Sequence, residues 1–125
     1  MRKTIEQLQQ LKESEDKVEF KAATHNFSYN GGSHSSQDER RKCYLGYVVA
    51  FANEGGGILV LGMADEMLHR VVGSDFGKGK IGALEDDVFA KLGIRISHEE
   101  LYDVNSRRVL VTHIHIRTIG KTLEY

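Results

Sequence analysis

A run of acidic residues leads into a charged segment near the start of the chain. The stretch "ESEDKVEFK" begins at Glu13 and carries Glu19 and Lys21 close to its end. Clustered carboxylates supply the oxygen ligands that Mg²⁺ and Mn²⁺ prefer, and a neighbouring lysine can offset the charge of a phosphate. The same residues also suit a solvated strand face with ordinary lysine–glutamate pairing. The residue types therefore leave phosphate chemistry and a plain surface both open.

A second carboxylate of interest follows an apolar run in the middle of the chain. "AFANEGGGILVLGMAD" passes from a helix-like run through Gly55, Gly56 and Gly57 to a strand-like run that ends at Asp65. Glycine in a left-handed conformation can end a helix and turn the chain into the next strand. Asn53 can hydrogen-bond the backbone at that corner. This turn accounts for one or two of the three glycines.

A glycine pattern further along resembles a nucleotide-binding fingerprint. "GKGKIG" spells G-x-G-x-x-G from Gly77 to Gly82, but "SDF" separates it from the strand that the fingerprint requires. It is also not a phosphate-binding loop of the ATPase type, because Gly79 stands where Ser or Thr must follow the lysine. We interpret the segment as a flexible connection that carries Lys78 and Lys80.

Histidine and cysteine give weaker signals. His113 and His115 lie two residues apart in "THIHI" and share one strand face, a spacing that can hold a metal ion. The sequence suggests no third ligand nearby, so a solvated strand face is the simpler interpretation. Cys43 is the chain's one cysteine, so no internal disulfide can form. We expect it to be a small core residue in a reducing compartment.

The bulk composition is that of an ordinary globular domain. The chain has 125 residues, a formal net charge of −1 and 40% hydrophobic residues. This length predicts one domain over 1–125. No apolar run approaches the roughly 20 residues of a membrane helix, and we expect a cytoplasmic protein that does not contact membranes. Because the net charge is near zero, any binding of nucleic acid must come from a local patch.

The first half of the chain alternates helix and strand patterns. Residues 4–13 predict a helix that Thr4 and Gln7 begin with a capping box, and residues 17–23 alternate as a half-buried strand. The polar segment 24–37 has no period; it could be a lid, a partner site or disorder, and we favour disorder. Asp38 can then cap a helix over 39–53, whose nearly all-apolar second half we expect to be deeply buried.

The second half is mostly strand. "ILVLGMA" predicts a central strand buried on both faces, and residues 69–73 a short partner strand. A helix follows over 83–93, and the segments 98–104 and 107–117 form a hairpin around Asn105 and Ser106. The order predicts an α+β fold: a single two-layer domain with a mixed β-sheet packed by two to three helices.

Several of these segments together resemble the Schlafen AlbA-like domain family. The shared pattern is "ES", then "EFK", then "AFANEGGG" with an apolar run to a glycine, then acidic residues and "VVG". The resemblance runs from about Glu13 to Tyr125. It implies the fold above, binding of DNA or RNA, and a regulatory part in a longer protein, of which we expect this chain to be the N-terminal fragment. An older label for the family, a divergent ATPase, implies a weak link to ATP.

The resemblance also implies an active site. In vertebrate Schlafens that cleave transfer and ribosomal RNA, the matching carboxylates bind a metal ion. Carried over, those positions are Glu13, Glu19 and Asp65, with Lys21 beside them and Mg²⁺ or Mn²⁺ as cofactor. The gap from Glu13 to Glu19 is one residue longer than usual, so Glu15 is an alternative counterpart. Those nucleases pair two such lobes, an arrangement that a homodimer of this chain could rebuild.

Three functions follow as hypotheses. The first is a module that binds the nucleic-acid backbone, and a helix N-terminus after Asp38 favours phosphate there. The second is a divalent-metal-dependent endoribonuclease, and the third is a lobe that binds a nucleotide or a protein without catalysis. We favour the first, so enzymatic activity is not the leading expectation. Its candidate contacts are Lys21, Arg40, Arg41, Lys42, Lys78 and Lys80.

Overall fold

Helices and strands alternate along the part of the chain that the structure describes. The computed structural model describes residues 3–13, 16–25, 27–30 and 42–115. No helix in these ranges is long and apolar enough to cross a membrane. The elements are α1 (Ile5–Gln9), β1 (Val18–Lys21), α2 (Tyr44–Asn53), β2 (Gly57–Leu61), α3 (Ile81–Leu92), β3 (Ile96–Tyr102) and β4 (Arg108–Ile114).

The four strands form one mixed sheet in the order β1-β2-β4-β3. β1 and β2 are parallel, and the connection between them contains α2, as parallel neighbours require. β4 lies antiparallel to both β2 and β3, and the latter pair is the predicted hairpin. The expected α+β fold with a mixed sheet is therefore confirmed. Among the described strands β1 lies at an edge of the sheet, and that position shapes the candidate site.

Each face of the sheet has its own hydrophobic cluster. Side chains alternate along β2, so Leu59 and Leu61 face α2 and α3, whereas Val60 faces α1. The same alternation on β1 turns Val18 and Phe20 toward α1. Glu19 and Lys21 then point to the α2 side of the sheet. The predicted central strand is confirmed, since β2 has a neighbour on both sides and Leu59, Val60 and Leu61 are fully buried.

Three predicted segments differ in extent. The capping box of α1 is present between Thr4 and Gln7, but the helix ends at Gln9. The expected partner strand over 69–73 reduces to a single bridge between Met63 and Val71. The helix predicted over 83–93 spans Ile81–Leu92 and ends at Gly93, whose left-handed backbone closes it.

The helix predicted over 39–53 begins later, at Tyr44. Cys43 is its N-cap: the sulfur accepts a hydrogen bond from the N–H of Gly46 at 3.3 Å. Cys43 is buried, as expected. The next two N–H groups, of Tyr44 and Leu45, donate to carbonyls of residues 28 and 29. The start of α2 is thus closed by the chain itself. The phosphate site predicted at a helix N-terminus after Asp38 falls outside the described residues and stays a prediction.

The described part of the segment 24–37 is packed rather than disordered. The Phe27 ring lies edge-on to Phe76 with centroids 5.4 Å apart. The Tyr29 hydroxyl donates a short hydrogen bond to Asp87 on α3. For residues 27–30 the favoured disorder is therefore wrong, because aromatic side chains anchor them to the core; residues 31–37 lie outside the described ranges.

Candidate functional site

A cleft lies between β1 and α2. α2 packs over β2 and β4, so it leaves the polar face of the edge strand β1 open on one side. The resulting cavity has a volume of about 540 Å³. Its lining comes from three places: the segment before β1, the polar face of β1, and the C-terminal half of α2. The lining residues are Glu13, Lys17, Val18, Glu19, Tyr47, Ala50, Phe51 and Glu54.

The α2 wall of the cleft is a stripe of four residues. Tyr47, Ala50, Phe51 and Glu54 recur at the spacing of one helix face. Tyr47 and Phe51 are half-buried, and Ala50 is exposed. The expected deep burial of this end of the helix therefore holds for Val48, Val49 and Ala52 but not for this stripe. One face of α2 fills the core while the neighbouring apolar face leans over β1, and an apolar sequence alone does not separate the two.

Glu13 and Glu19 meet inside the cleft. The Glu13 carboxylate accepts a hydrogen bond from the backbone N–H of Phe20 at 2.9 Å. Glu19 hydrogen-bonds to Glu13 as well. Burial raises the pKa of Glu19 to about 7, and the bond to Glu13 and its charge add to the rise. The geometry fits a protonated Glu19 that donates its O–H to an oxygen of Glu13.

Lys21 lies beside this pair at the other end of the polar face of β1. Its ammonium is 3.9 Å from the Glu19 carboxylate and 5.5 Å from the centre of the Tyr47 ring. Burial alone lowers the pKa of Lys21, but Tyr47, Glu19 and Asp65 together outweigh it and raise the pKa above its ordinary value. Lys21 is therefore a fixed positive charge near neutral pH.

Asp65 lies near these residues without lining the cleft. It is exposed on the turn after β2, and its charge acts on both Glu19 and Lys21. The three carried-over acids thus share one region. In the described ranges, however, no three His, Cys, Asp or Glu side chains converge closely enough to hold a metal ion. The Mg²⁺ or Mn²⁺ site implied at Glu13, Glu19 and Asp65 therefore stays a prediction, and Glu15 lies outside the described residues.

The three glycines after α2 each have a structural reason. Gly55 and Gly56 both have positive φ, at +96° and +98°, and their N–H groups cap the carbonyls of Ala52 and Phe51. At Gly57 a side chain would meet the Phe51 ring at 2.2 Å. The turn therefore uses all three, where one or two were expected. Asn53 is the last residue of α2, and its predicted backbone hydrogen bond stays a prediction.

The other candidate residues that the structure describes do not line the cleft. Lys42 precedes α2, and Lys78 and Lys80 are exposed on the turn before α3; none of the three lines the cavity. Arg40 and Arg41 lie outside the described residues. On β4, His113 hydrogen-bonds to Glu99 at 2.6 Å.

Sequence reasoning missed three participants: Lys17, Tyr47 and Phe51. Lys17 directly precedes β1 in the same alternating pattern as Glu19 and Lys21, which is a readable signal. Its ammonium donates to the carbonyl of Glu54 at 3.0 Å, at the end of α2. Tyr47 and Phe51 carry a fainter signal, since α2 has more apolar positions than one core-facing stripe can use.

The structure is thus a small α+β domain with a cleft beside its edge strand. The family model described as "Schlafen, AlbA_2" matches residues 13–121. The chain therefore belongs to the Schlafen AlbA_2 family, as the resemblance predicted.

The search of solved structures gives a fold neighbour, the DIP2311 protein from Corynebacterium diphtheriae. The TM-score is 0.50 at 18% sequence identity, and the match covers 87% of this chain and 19% of that one. The chain therefore spans about a fifth of that neighbour's length, and at this identity the likeness concerns the fold alone. No curated protein matches the chain.

Proposed function

We propose that this domain binds the sugar–phosphate backbone of nucleic acid beside the β1–α2 cleft. The observation that carries the proposal is the position of two lysines in an AlbA_2 domain. Lys17 lines the cleft, and Lys21 lies beside it, 3.9 Å from Glu19 and over the Tyr47 ring. Lys21 stays protonated because Tyr47, Glu19 and Asp65 raise its pKa. A fixed ammonium of this kind suits a phosphate oxygen.

The charge of the whole chain makes this binding local and weak. The formal net charge is −1, so the domain has no general attraction for a polyanion. Affinity must come from a few lysine–phosphate contacts, each of which releases counterions from the nucleic acid. We therefore expect a modest affinity that falls steadily as salt is added.

The test compares two variants with the same change in charge. Lys21→Gln removes the cleft ammonium, and Lys91→Gln removes an exposed ammonium on α3. Fluorescence anisotropy with labelled RNA and DNA over a salt series should show weaker binding for Lys21→Gln, with a salt slope shallower by roughly 0.7 to 0.9. Lys91→Gln should bind like the parent. Equal losses in both variants, or no binding at low salt, would contradict the proposal.

A second candidate function is phosphodiester cleavage. The observation that favours it is the shared region of Glu13, Glu19 and Asp65, where Glu19 has a pKa of about 7 and can both take up and release a proton near neutral pH. Parallel samples with Mn²⁺ and with EDTA, run on a denaturing gel, separate the two functions. Metal-dependent cleavage that disappears in Glu19→Gln makes the domain a nuclease, whereas intact RNA leaves a binding module.

A further inference from the structure

The shape of the cleft limits what can enter it. Proteins read the bases of double-stranded nucleic acid with elements that protrude into its grooves. The β1–α2 site is instead a concavity of about 540 Å³, in the size range of small-molecule pockets. A base can reach the bottom of such a cavity only when it is outside a duplex stack.

One wall of the cleft is aromatic and fixed in place. The rings of Tyr47 and Phe51 lie one turn apart on α2, and both line the cavity. Phe51 rests directly on the backbone at Gly57, where any side chain would overlap the ring. Lys21 stands over Tyr47. Half-buried rings held by such contacts are suitable surfaces for a nucleobase, since every base has a flat π-face.

The order of charges along the cleft favours a phosphate at some positions and a base at others. Glu19 lies between Lys17 and Lys21 on the same side of β1, and Glu13 stands next to Glu19. Carboxyl groups repel phosphates but accept hydrogen bonds from base N–H and sugar O–H groups. Lysines at the two ends attract the phosphates on either side of one nucleotide. The interior therefore suits base and sugar, and the ends suit the backbone.

We infer that the β1–α2 cleft receives the base and sugar of one unpaired nucleotide, so that the domain prefers single-stranded nucleic acid to duplex. The inference rests on the proposed function and deepens it by naming the strandedness of the ligand. Stacking on Tyr47 and Phe51 supplies the preference, and the flanking lysines hold the adjoining phosphates.

The first experiment compares probes that carry the same phosphates. A short labelled single strand, its blunt duplex, and the same strand with abasic sites are titrated by fluorescence anisotropy, as RNA and as DNA. The intact strand should bind on the order of tenfold more tightly than the abasic strand, and more tightly than the duplex. Equal binding of intact and abasic strands, or a preference for duplex, overturns the inference but leaves backbone binding standing. Absence of binding to every probe at low salt overturns the proposed function itself.

Variants of the aromatic wall test which residues are responsible. Tyr47→Leu and Phe51→Leu should lower the ratio of intact-strand to abasic-strand affinity toward one. Tyr47→Phe keeps the ring and should keep the ratio of the parent. Phe89→Leu removes an exposed ring on α3 that packs with Arg95, and it should leave the ratio unchanged. Because the ratio compares two ligands on one protein, partial unfolding does not imitate the effect. An unchanged ratio in both leucine variants contradicts the assigned wall.

Discussion

At the scale of single residues, the position of Glu19 lowers the stability of the folded domain at neutral and higher pH. Burial and the neighbouring Glu13 raise its pKa to about 7, so the folded protein binds a proton that the unfolded chain releases near the ordinary value of 4.5. The raised pKa means that the folded state is favoured at low pH. Stability from this group is present below about pH 4.5 and is lost as the pH rises to about 7. Packing alone does not explain such a pair of acids in the cleft.

Glu19→Gln should therefore stabilise the domain at pH 8 and flatten this part of its pH profile. The shift corresponds to about 2 kcal/mol at most, after a discount for a side chain that is about one third exposed. Urea unfolding at a series of pH values measures the effect. Glu6→Gln, on the exposed side of α1, is the matched control and should keep the slope of the parent. If the parent gains stability relative to Glu19→Gln as the pH rises from 4.5 to 7, the assignment is contradicted.

At the scale of elements, the corner between α2 and β2 fixes the cleft. The carbonyls that end α2 are capped by Gly55 and Gly56, and Lys17, the residue before β1, donates to the carbonyl of Glu54. The Phe51 ring packs onto Gly57 at the start of β2. The corner thus sets how far α2 leans over β1, and with it the width of the cleft.

Gly57→Ala should destabilise the domain by about 2 kcal/mol. The added methyl group would lie 2.2 Å from the Phe51 ring and 2.9 Å from the carbonyl of Lys17, and the backbone atom cannot move aside. Gly82→Ala is the matched control, because Gly82 lies in α3 with open space around it. The control should gain roughly 0.5 to 1 kcal/mol, as glycine weakens helices. Urea unfolding gives both values, and a neutral Gly57→Ala would count against this packing.

Local patterns predict the elements better than they predict the cleft. The alternation around Glu19 and the apolar run of β2 are consequences of strand geometry, so the sequence reveals them. The start of α2 was misplaced because Asp38 is a common N-cap and Cys43 is not. The aromatic wall depends on which of two apolar faces of α2 meets the sheet, and only tertiary packing decides that.

At the scale of the whole molecule, a buried polar network joins elements from both halves of the chain. The Tyr44 hydroxyl on α2 lies 2.6 Å from His98 Nε2 on β3 and 3.1 Å from the Thr112 hydroxyl on β4. His98 Nδ1 lies 2.8 Å from the Glu85 carboxylate on α3. A neutral His98 satisfies the network by donating to Glu85 and accepting from Tyr44. These contacts connect α2, α3 and the β3–β4 hairpin within one core.

Burial lowers the pKa of His98, and the attraction of Glu85 does not restore it. Arg108 and His113 on β4 also face His98 and lower it further. Because the folded pKa lies below the ordinary value of 6.5, the unfolded chain takes up a proton that the folded protein refuses. The contribution of His98 is therefore present above pH 6.5 and is lost as the pH falls below it, the opposite direction to Glu19.

The two groups can be separated by working in the Glu19→Gln variant. There, urea unfolding should show a loss of stability as the pH falls from 7 toward 5. Adding His98→Gln should remove that dependence and cost about 1 to 3 kcal/mol at pH 8, because Tyr44 and Glu85 lose a buried partner. His25→Gln, an exposed histidine beside Asp75, is the control and should keep the acid sensitivity. If the variant with His98→Gln loses as much stability on acidification as Glu19→Gln alone, the acid sensitivity belongs to another group. The network then does not depend on a neutral His98.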